Sequence, residues 1–242
     1  MSTEADASKH QIRQRMWDLL ERERAVEPGV HGYIPAFEGA EAAADRLASL
    51  PVWQAARVVK SVPDRAQQPV RERALLDGKL LYMAVPMLAD ELPFYLLDPH
   101  RIAVTAAEAA SRTTAAEVAR KVGVEEMRAV DIVVCGSVAV NRHGARLGKG
   151  AGYSDIEVAL LREAGLISPT TVIVTTVHPM QVVDEPLPET EHDFSVDLIV
   201  TPDEVIKCGP PRRPHGLYWD HLTEDKIATI PVLTMRAAAR RG

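Results

Sequence analysis

The sequence predicts an α/β protein, a single domain with a largely parallel central sheet flanked by helices. Short apolar runs of strand length alternate with amphipathic stretches of helical period along most of the chain. The run at 131–140 (DIVVCGSVAV) is almost continuously apolar, as in a strand that is covered on both faces. No linker divides the chain, so these elements are expected to form one α/β unit.

The composition bounds the class of protein. The chain has 242 residues, of which 46% are apolar, enough for one large core. Lys and Arg number 28 against 34 Asp and Glu, and this net charge of -6 disfavours nucleic acid as the main partner. No apolar run approaches the roughly 20 residues of a membrane span, and the polar start lacks a signal-peptide core. We therefore expect a cytoplasmic protein, as a monomer or a homodimer.

The N-terminal part is predicted to be helical after a disordered tail at residues 1–8, with the single domain over 9–242. Apolar side chains at offsets 0, 4, 7 and 8 give residues 9–24 one apolar face. These side chains are Ile12, Met16, Leu19 and Leu20. Prolines and glycines over 27–38 predict a loop, and the alanine-rich residues 40–49 predict a short helix.

From residue 56 onward, strands and helices alternate. The predicted strands are apolar runs at 56–62, 79–85, 94–97, 131–140, 171–176 and 195–200. The predicted helices lie at 70–77, 114–121 and 155–164, and from about Thr223 to the basic end of the chain. Gly78 and Gly123 are expected to end the first two of these helices.

The segment from Arg146 to Glu157 (RLGKGAGYSDIE) carries the most chemistry. Gly148, Gly150 and Gly152 alternate, which allows the backbone to adopt positive φ and to approach a ligand closely. Ser154 and Glu157 have the S-x-x-E spacing of a capping box, so a helix is predicted to begin just after the glycines.

This segment predicts a positive cup for phosphate. The cup would combine the loop amides, a helix N-terminus, Arg146 and Lys149. Asp155 is placed to hold a magnesium ion between phosphate oxygens. The pattern is neither a Walker loop nor a Rossmann fingerprint. A flexible glycine turn with solvated charges is the alternative, and the spacing does not decide between the two.

Other candidate residues are disfavoured. A metal site would need His178, His192, Asp193 and Asp197, but the spacing of known zinc motifs is absent. Cys135 lies inside an apolar run and is expected to be a buried, inert thiol. Ser137 lacks the G-x-S-x-G elbow of serine hydrolases. The three tryptophans (Trp17, Trp53 and Trp219) are scattered and are assigned to packing.

The segment Arg146-Leu-Gly-Lys-Gly-Ala-Gly-Tyr-Ser-Asp155 resembles the R-x-G-x-G-x-G-[YF]-x-D motif of the 5-formyltetrahydrofolate cyclo-ligase (methenyltetrahydrofolate synthetase) family. Residues 181–201 look like that family's Q…P…HD…T block, and Lys9-x-x-Ile-Arg13 is similar to its N-terminal K-x-x-[LI]-R. Gly78-Lys79, before a strand ending at Pro86, is similar to its G-K…P element. The matches occur in order over residues 9–207.

This resemblance implies a fold like the sugar-isomerase and CoA-transferase group, and an enzyme that uses ATP and magnesium. In the family, ATP phosphorylates a formamide oxygen, a neighbouring amine attacks the activated carbon, and loss of phosphate closes the ring. The implied catalytic residues are Lys9 and Arg146, with Lys149 added for its charge and place. The implied nucleotide-binding residues are Arg13, Gly148, Gly150, Ala151, Gly152 and Tyr153, and Asp155 is implied to hold magnesium.

The substrate side departs from the family pattern. Segments such as FEGAEAAADRL and TTVHPMQVV look like a paralogous branch that is linked to thiamin metabolism and is not thought to perform the folate reaction. Ala36 and Val62 stand where asparagines are expected, which suggests an altered substrate pocket.

The leading hypothesis is therefore an ATP-dependent cyclo-ligase or cyclodehydratase that acts on a small N-formyl or amide substrate, free or carrier-bound. The substrate would be 5-formyltetrahydrofolate or, preferentially, another formamide such as a formylated amino-acid unit closed to an azole. One alternative is a non-catalytic nucleotide- or cofactor-binding paralogue linked to thiamin or folate metabolism. Another is a scaffold in which the glycine loop is only a turn.

Overall fold

The computed structural model describes residues 4–241, the last of them by its backbone only. The helices are α1 Glu4–Arg22, α2 Ala40–Ala48, α3 Pro51–Ala55, α4 Gln68–Leu76, α5 Ala106–Ala110, α6 Arg112–Val118, α7 Tyr153–Glu163, α8 Glu224–Thr229 and α9 Pro231–Arg241. The strands are β1 Val58–Ser61, β2 Leu80–Ala84, β3 Phe94–Leu97, β4 Arg120–Val122, β5 Ile132–Cys135, β6 Ala139–Asn141, β7 Arg146–Leu147, β8 Val172–Thr176, β9 Val182–Val183, β10 Leu198–Val200 and β11 Val205–Lys207.

An eight-stranded sheet in the order β11-β10-β8-β5-β1-β2-β3-β4 forms the centre of the fold. The five neighbouring strands from β10 to β2 are parallel, and β11, β3 and β4 are added antiparallel at the two edges. Successive residues of β5 belong to opposite apolar layers, with Val133 in one and Val134 in the other. The predicted α/β domain with a largely parallel central sheet is therefore confirmed.

The predicted strand at 131–140 is two strands in two sheets. The central strand β5 ends at Cys135, and the chain then enters β6, the middle strand of a small sheet in the order β7-β6-β9. The backbone that leaves the first sheet is still paired, because the buried Gln181 amide donates to the carbonyl oxygens of Ser137 (2.7 Å) and Val138 (3.2 Å). An apolar run can thus change sheets without exposing polar backbone groups.

Three other predictions need correction. The first helix begins at Glu4, so residues 4–8 are helical rather than a disordered tail, and residues 1–3 lie outside the described part of the chain. The predicted helix at 114–121 ends at Val118, because Arg120–Val122 pairs with β3 as an edge strand. The last stretch is two helices, which meet at Pro231.

Within residues 4–241, no helix combines the length and the hydropathy needed to cross a bilayer.

Candidate functional site

A cleft of about 1020 Å³ opens at the carboxyl edge of the parallel strands. Residues that follow β1 (62–64) and β2 (86–87) line it together with the loop between β7 and α7. This edge is where open α/β sheets bind ligands. All ten residues that the sequence assigns to the site line this one cleft: Lys9, Arg13, Arg146, Gly148, Lys149, Gly150, Ala151, Gly152, Tyr153 and Asp155.

The loop from Gly148 to Gly152 (the glycine loop) has the backbone freedom that its sequence predicts. Gly150 (φ 101°) and Gly152 (φ 71°) adopt positive φ. At Gly148 the constraint is space, since an added Cβ would lie 3.0 Å from Nη1 of Arg146. The backbone amides of residues 149–152 donate to no acceptor among residues 4–241. They lie next to the N-terminus of α7, so the loop presents free donors for an anion.

The predicted capping box is wrong, although the predicted helix start is close. Helix α7 begins at Tyr153 with Gly152 as its N-cap, and no side chain caps it. Ser154 therefore lies inside the first turn. Glu157 is buried and forms an ion pair with Lys60 of β1 instead of returning to the helix start. A lysine buried in the central sheet needs a compensating charge, and this requirement outweighs a local cap.

Arg146 is 6% exposed and makes three contacts within the site. Its Nη1 donates to the carbonyl oxygen of Gly136 at 3.3 Å, and its Nη2 donates to Oδ1 of Asp155 at 3.1 Å. The guanidinium lies 4.0 Å from the ring centroid of Phe194. Burial raises the pKa of Asp155 above its usual value, although the charge of Arg146 acts in the opposite direction.

Helix α1 brings two further predicted cations to the glycine loop and its surroundings. Lys9 is 6% exposed, and its Nζ donates to Oδ2 of Asp193 at 2.5 Å. Burial alone would raise the pKa of Asp193, but hydrogen bonds from Lys9 and Thr190 hold it below its usual value. Arg13 donates from Nε to the carbonyl oxygen of Gly148 at 2.6 Å and so fixes the start of the loop.

The prediction of a positive cup needs a correction. Five lysines and arginines line the cleft: Lys9, Arg13, Arg112, Arg146 and Lys149. Five acids line it as well: Asp6, Asp64, Asp155, Glu157 and Asp193. Lys149, for example, lies 3.2 Å from Asp64. Three of these cations, Lys9, Arg146 and Lys149, form ion pairs with acids of the cleft, because partly buried charges are costly without partners.

The disfavoured candidates are placed in structural roles. His178 accepts the amide of Met180 as the cap of a short turn, and Asp197 pairs with Arg213. Among residues 4–241, no group of three or more His, Cys, Asp or Glu side chains is arranged to hold a metal ion. Cys135 is buried, and burial raises the pKa of its thiol. The Ser137 hydroxyl lies 2.9 Å from that of Thr175.

Lys60, Asp64 and Phe194 contact residues of the cleft and were not predicted from the sequence. Lys60 lies in the middle of an apolar strand, and this position indicates a buried ion pair. No neighbouring residue in the sequence indicates a role for Asp64 or Phe194. Of the two positions at which the resemblance leads us to expect asparagine, Val62 lines the cleft and is 1% exposed. Ala36 is not among the lining residues of the described chain.

The fold and the cleft define an α/β protein with a glycine loop and ion pairs at the carboxyl edge of its sheet. A model of the 5-formyltetrahydrofolate cyclo-ligase family matches residues 5–202. The chain belongs to this family, which confirms the resemblance seen in its motifs.

Curated relatives and a solved structure are similar to the chain. It is 37% identical over 239 residues to a methenyltetrahydrofolate synthase domain-containing protein of Mus musculus, and 36% identical over 241 residues to that of Bos taurus. Both alignments cover 96% of this chain, which spans only 64% and 63% of the length of those relatives. The NMR structure of Aquifex aeolicus 5,10-methenyltetrahydrofolate synthetase has a TM-score of 0.54 at 21% identity, covering 88% of this chain and 99% of that one. This likeness shows a shared fold, while the relation to the sugar-isomerase and CoA-transferase group stays a prediction.

Proposed function

We propose that this chain is an ATP-dependent cyclo-ligase that acts on an N-formyl or related amide substrate. One observation carries the proposal. The motif residues from Arg146 to Asp155, together with Lys9 and Arg13 from the other end of the chain, line a single cleft. The backbone amides of residues 149–152 in that cleft donate a hydrogen bond to no described residue.

The proposed reaction has two steps. The amide oxygen attacks the γ-phosphorus of ATP, the bond to the β–γ bridging oxygen breaks, and ADP leaves. A neighbouring amine of the substrate then attacks the activated carbon, and the C–O bond breaks with release of phosphate and loss of the amine proton. An amide is a poor electrophile and its oxygen a poor leaving group, and phosphorylation addresses both. The protein would mainly position the groups and stabilise phosphate charge.

Residues of the cleft would divide these tasks. The amides of residues 149–152, Arg13 and Lys149 would hold the nucleotide phosphates. Lys9 and Arg146 would stabilise the γ-phosphoryl group as it transfers. Asp155 is the carboxylate placed to hold a magnesium ion, which commonly takes one or two protein carboxylates and phosphate oxygens. Because Asp155 now pairs with Arg146, an ion at Asp155 would release that guanidinium for the phosphate.

The apolar residues that line the cleft would hold the substrate. Ile34, Val62, Pro63 and Met87 are among them. The side chain of Val62 cannot form a hydrogen bond where the family pattern suggests an amide, so we propose an apolar group of the substrate at this position. 5-formyltetrahydrofolate is the first substrate to test, and a formylated amino-acid derivative that could close to an azole is the second.

The test measures ADP release from ATP and magnesium with and without each formyl compound, and follows the methenyl product by its absorbance. We expect formyl-dependent ADP release at about 1 per second or faster for the correct substrate. Asp155→Asn should abolish it, whereas Lys207→Met, an exposed lysine on β11, should not. ADP release that is equal with and without every formyl compound would overturn the proposal. Saturable ATP binding without turnover would favour a non-catalytic nucleotide-binding protein.

A further inference from the structure

The segment that follows the family match packs against the site. The family model ends at residue 202, and the chain continues through β11, α8 and α9. Ile230 and Leu233 are buried in the same apolar layer as α7. Glu163 at the end of α7 accepts the amide of Leu217 at 2.9 Å and Nη1 of Arg236 at 3.0 Å. This C-terminal segment (residues 203–241) is therefore an integral part of the domain.

The C-terminal segment places a lysine on the glycine loop. Lys226 lies in the first turn of α8, where its amide donates to the capping hydroxyl of Thr223 at 3.1 Å. Its ammonium group donates to the carbonyl oxygen of Ala151 and lies 4.2 Å from the ring centroid of Tyr153. Both of those residues line the cleft. One side chain thus contacts the loop by a hydrogen bond and the first residue of α7 by a cation–π interaction.

The charge of this ammonium group is relevant to anion binding, because the five cations and the five acids that line the cleft cancel in net charge. Lys226 adds a cation that is not among the five lining ones, beside amides that donate to no described acceptor. An ammonium ion has three donors, and the contact with Ala151 is the single one it makes to a described oxygen. Burial lowers the pKa of Lys226, and the charge of Asp155 opposes that change, which places the lysine within the field of the site.

We propose that Lys226 is a further nucleotide-binding residue, contributed by the C-terminal segment, which holds the glycine loop and adds positive charge for the ATP polyphosphate. This inference rests on the proposed function, since it assigns the same loop to ATP. It makes the C-terminal segment, which lies outside the family match, part of the binding site.

Calorimetry of ATP binding to the full chain tests the proposal. Lys226→Met should weaken ATP binding about 10-fold or more, as expected for loss of a hydrogen bond to a charged group. Lys226→Gln keeps a donor for Ala151 without the charge and should weaken ATP binding by a similar factor. Lys226→Arg keeps the charge and should retain most of the ATP affinity. Adenosine binding should change little in all three variants, which a general loosening of the fold would not predict. Lys207→Met is the matched control and should bind ATP as the wild type does.

A second measurement uses the wild-type chain, so it does not depend on the folding of a variant. An amine-reactive reagent followed by mass spectrometry should show Lys226 protected by ATP, and Lys207 unprotected. Equal labelling of Lys226 with and without ATP, or unchanged ATP affinity in Lys226→Met, would overturn this inference alone. Failure of the wild-type chain to bind ATP would overturn it together with the proposed function.

Discussion

Lys60 of β1 and Glu157 of α7 form an ion pair in which the two side chains are 1% and 4% exposed. The pair joins the central sheet to the helix that follows the glycine loop, and Glu157 also lines the cleft. Burial raises the pKa of Glu157, while the neighbouring ammonium group acts in the opposite direction. A buried pair adds little net stability over an apolar replacement, but removal of one partner leaves an uncompensated charge.

Glu157→Gln is therefore expected to lower the free energy of unfolding by about 3–5 kcal/mol. The double variant Lys60→Met/Glu157→Met should recover much of that loss, because no buried charge is left alone. Urea unfolding followed by circular dichroism measures both values. Glu126→Gln, which breaks the exposed pair with Arg120, is the control and should change stability little. A double variant no more stable than Glu157→Gln would contradict this account of the pair.

Gly150→Ala is expected to weaken ATP binding. The added Cβ would lie 3.4 Å from Cζ of Arg13, at a φ of 101° that an L-residue rarely adopts. Gly165→Ala provides the control, because its φ is 69° and nothing lies within 4 Å of the added Cβ. That variant should lose about 1–2 kcal/mol of stability and keep its ATP affinity. Calorimetry that finds the same ATP affinity for Gly150→Ala as for the wild type would argue against the loop as the phosphate site.

Arg146→Lys is expected to lose both stability and ATP affinity, although the charge is kept. An ammonium group cannot contact Gly136, Asp155 and the face of Phe194 together, as the planar guanidinium does. We expect a loss of at least about 2 kcal/mol in the free energy of unfolding, because buried acceptors lose their donor. Thermal unfolding with and without ATP separates the two effects. Wild-type stability in this variant would show that charge alone matters at this position.

Thiol labelling should depend steeply on pH. Burial raises the pKa of Cys208 to about 11, and the charge of Asp197 adds to the increase. At pH 8 only about 0.1% of this thiol would be thiolate, the reactive form. Labelling of Cys208 should be slow there and rise about tenfold per pH unit towards pH 11. Cys208→Ser identifies the signal, since Cys135 is fully covered in the fold.

The same shift has a stability consequence with a defined sign. The folded chain holds the proton of Cys208 more tightly than the unfolded chain, whose cysteine pKa is near 8.5. The contribution of this thiol to stability is therefore complete below about pH 8.5, and it declines as the pH rises towards 11. Fast labelling of Cys208 at neutral pH in the folded chain would contradict the buried environment.

Several elements were predictable because their causes are local. Apolar spacing identified α1, and the start of α7 lies within two residues of the predicted one, although the capping box that predicted it does not form. The errors have non-local causes. Residues 120–122 were predicted to be helical but pair with β3 as a strand. The run at 131–140 forms two strands, and the distant side chain of Gln181 donates to the backbone carbonyl oxygens between them. The short-range signals were present in both cases and were outweighed by tertiary pairing.

The sequence by itself determined the alternation of strands and helices in an α/β domain, the positive φ of glycines in the glycine loop and membership of the family, since the patterns behind them can be read along the chain. Only the tertiary structure decided which charged side chains form ion pairs with one another. Lys9 pairs with Asp193 across 184 positions, and Lys60 with Glu157 across 97. The physical reason is that a buried charge takes the nearest opposite charge in space, and that neighbour is set by how the sheet and its helices pack.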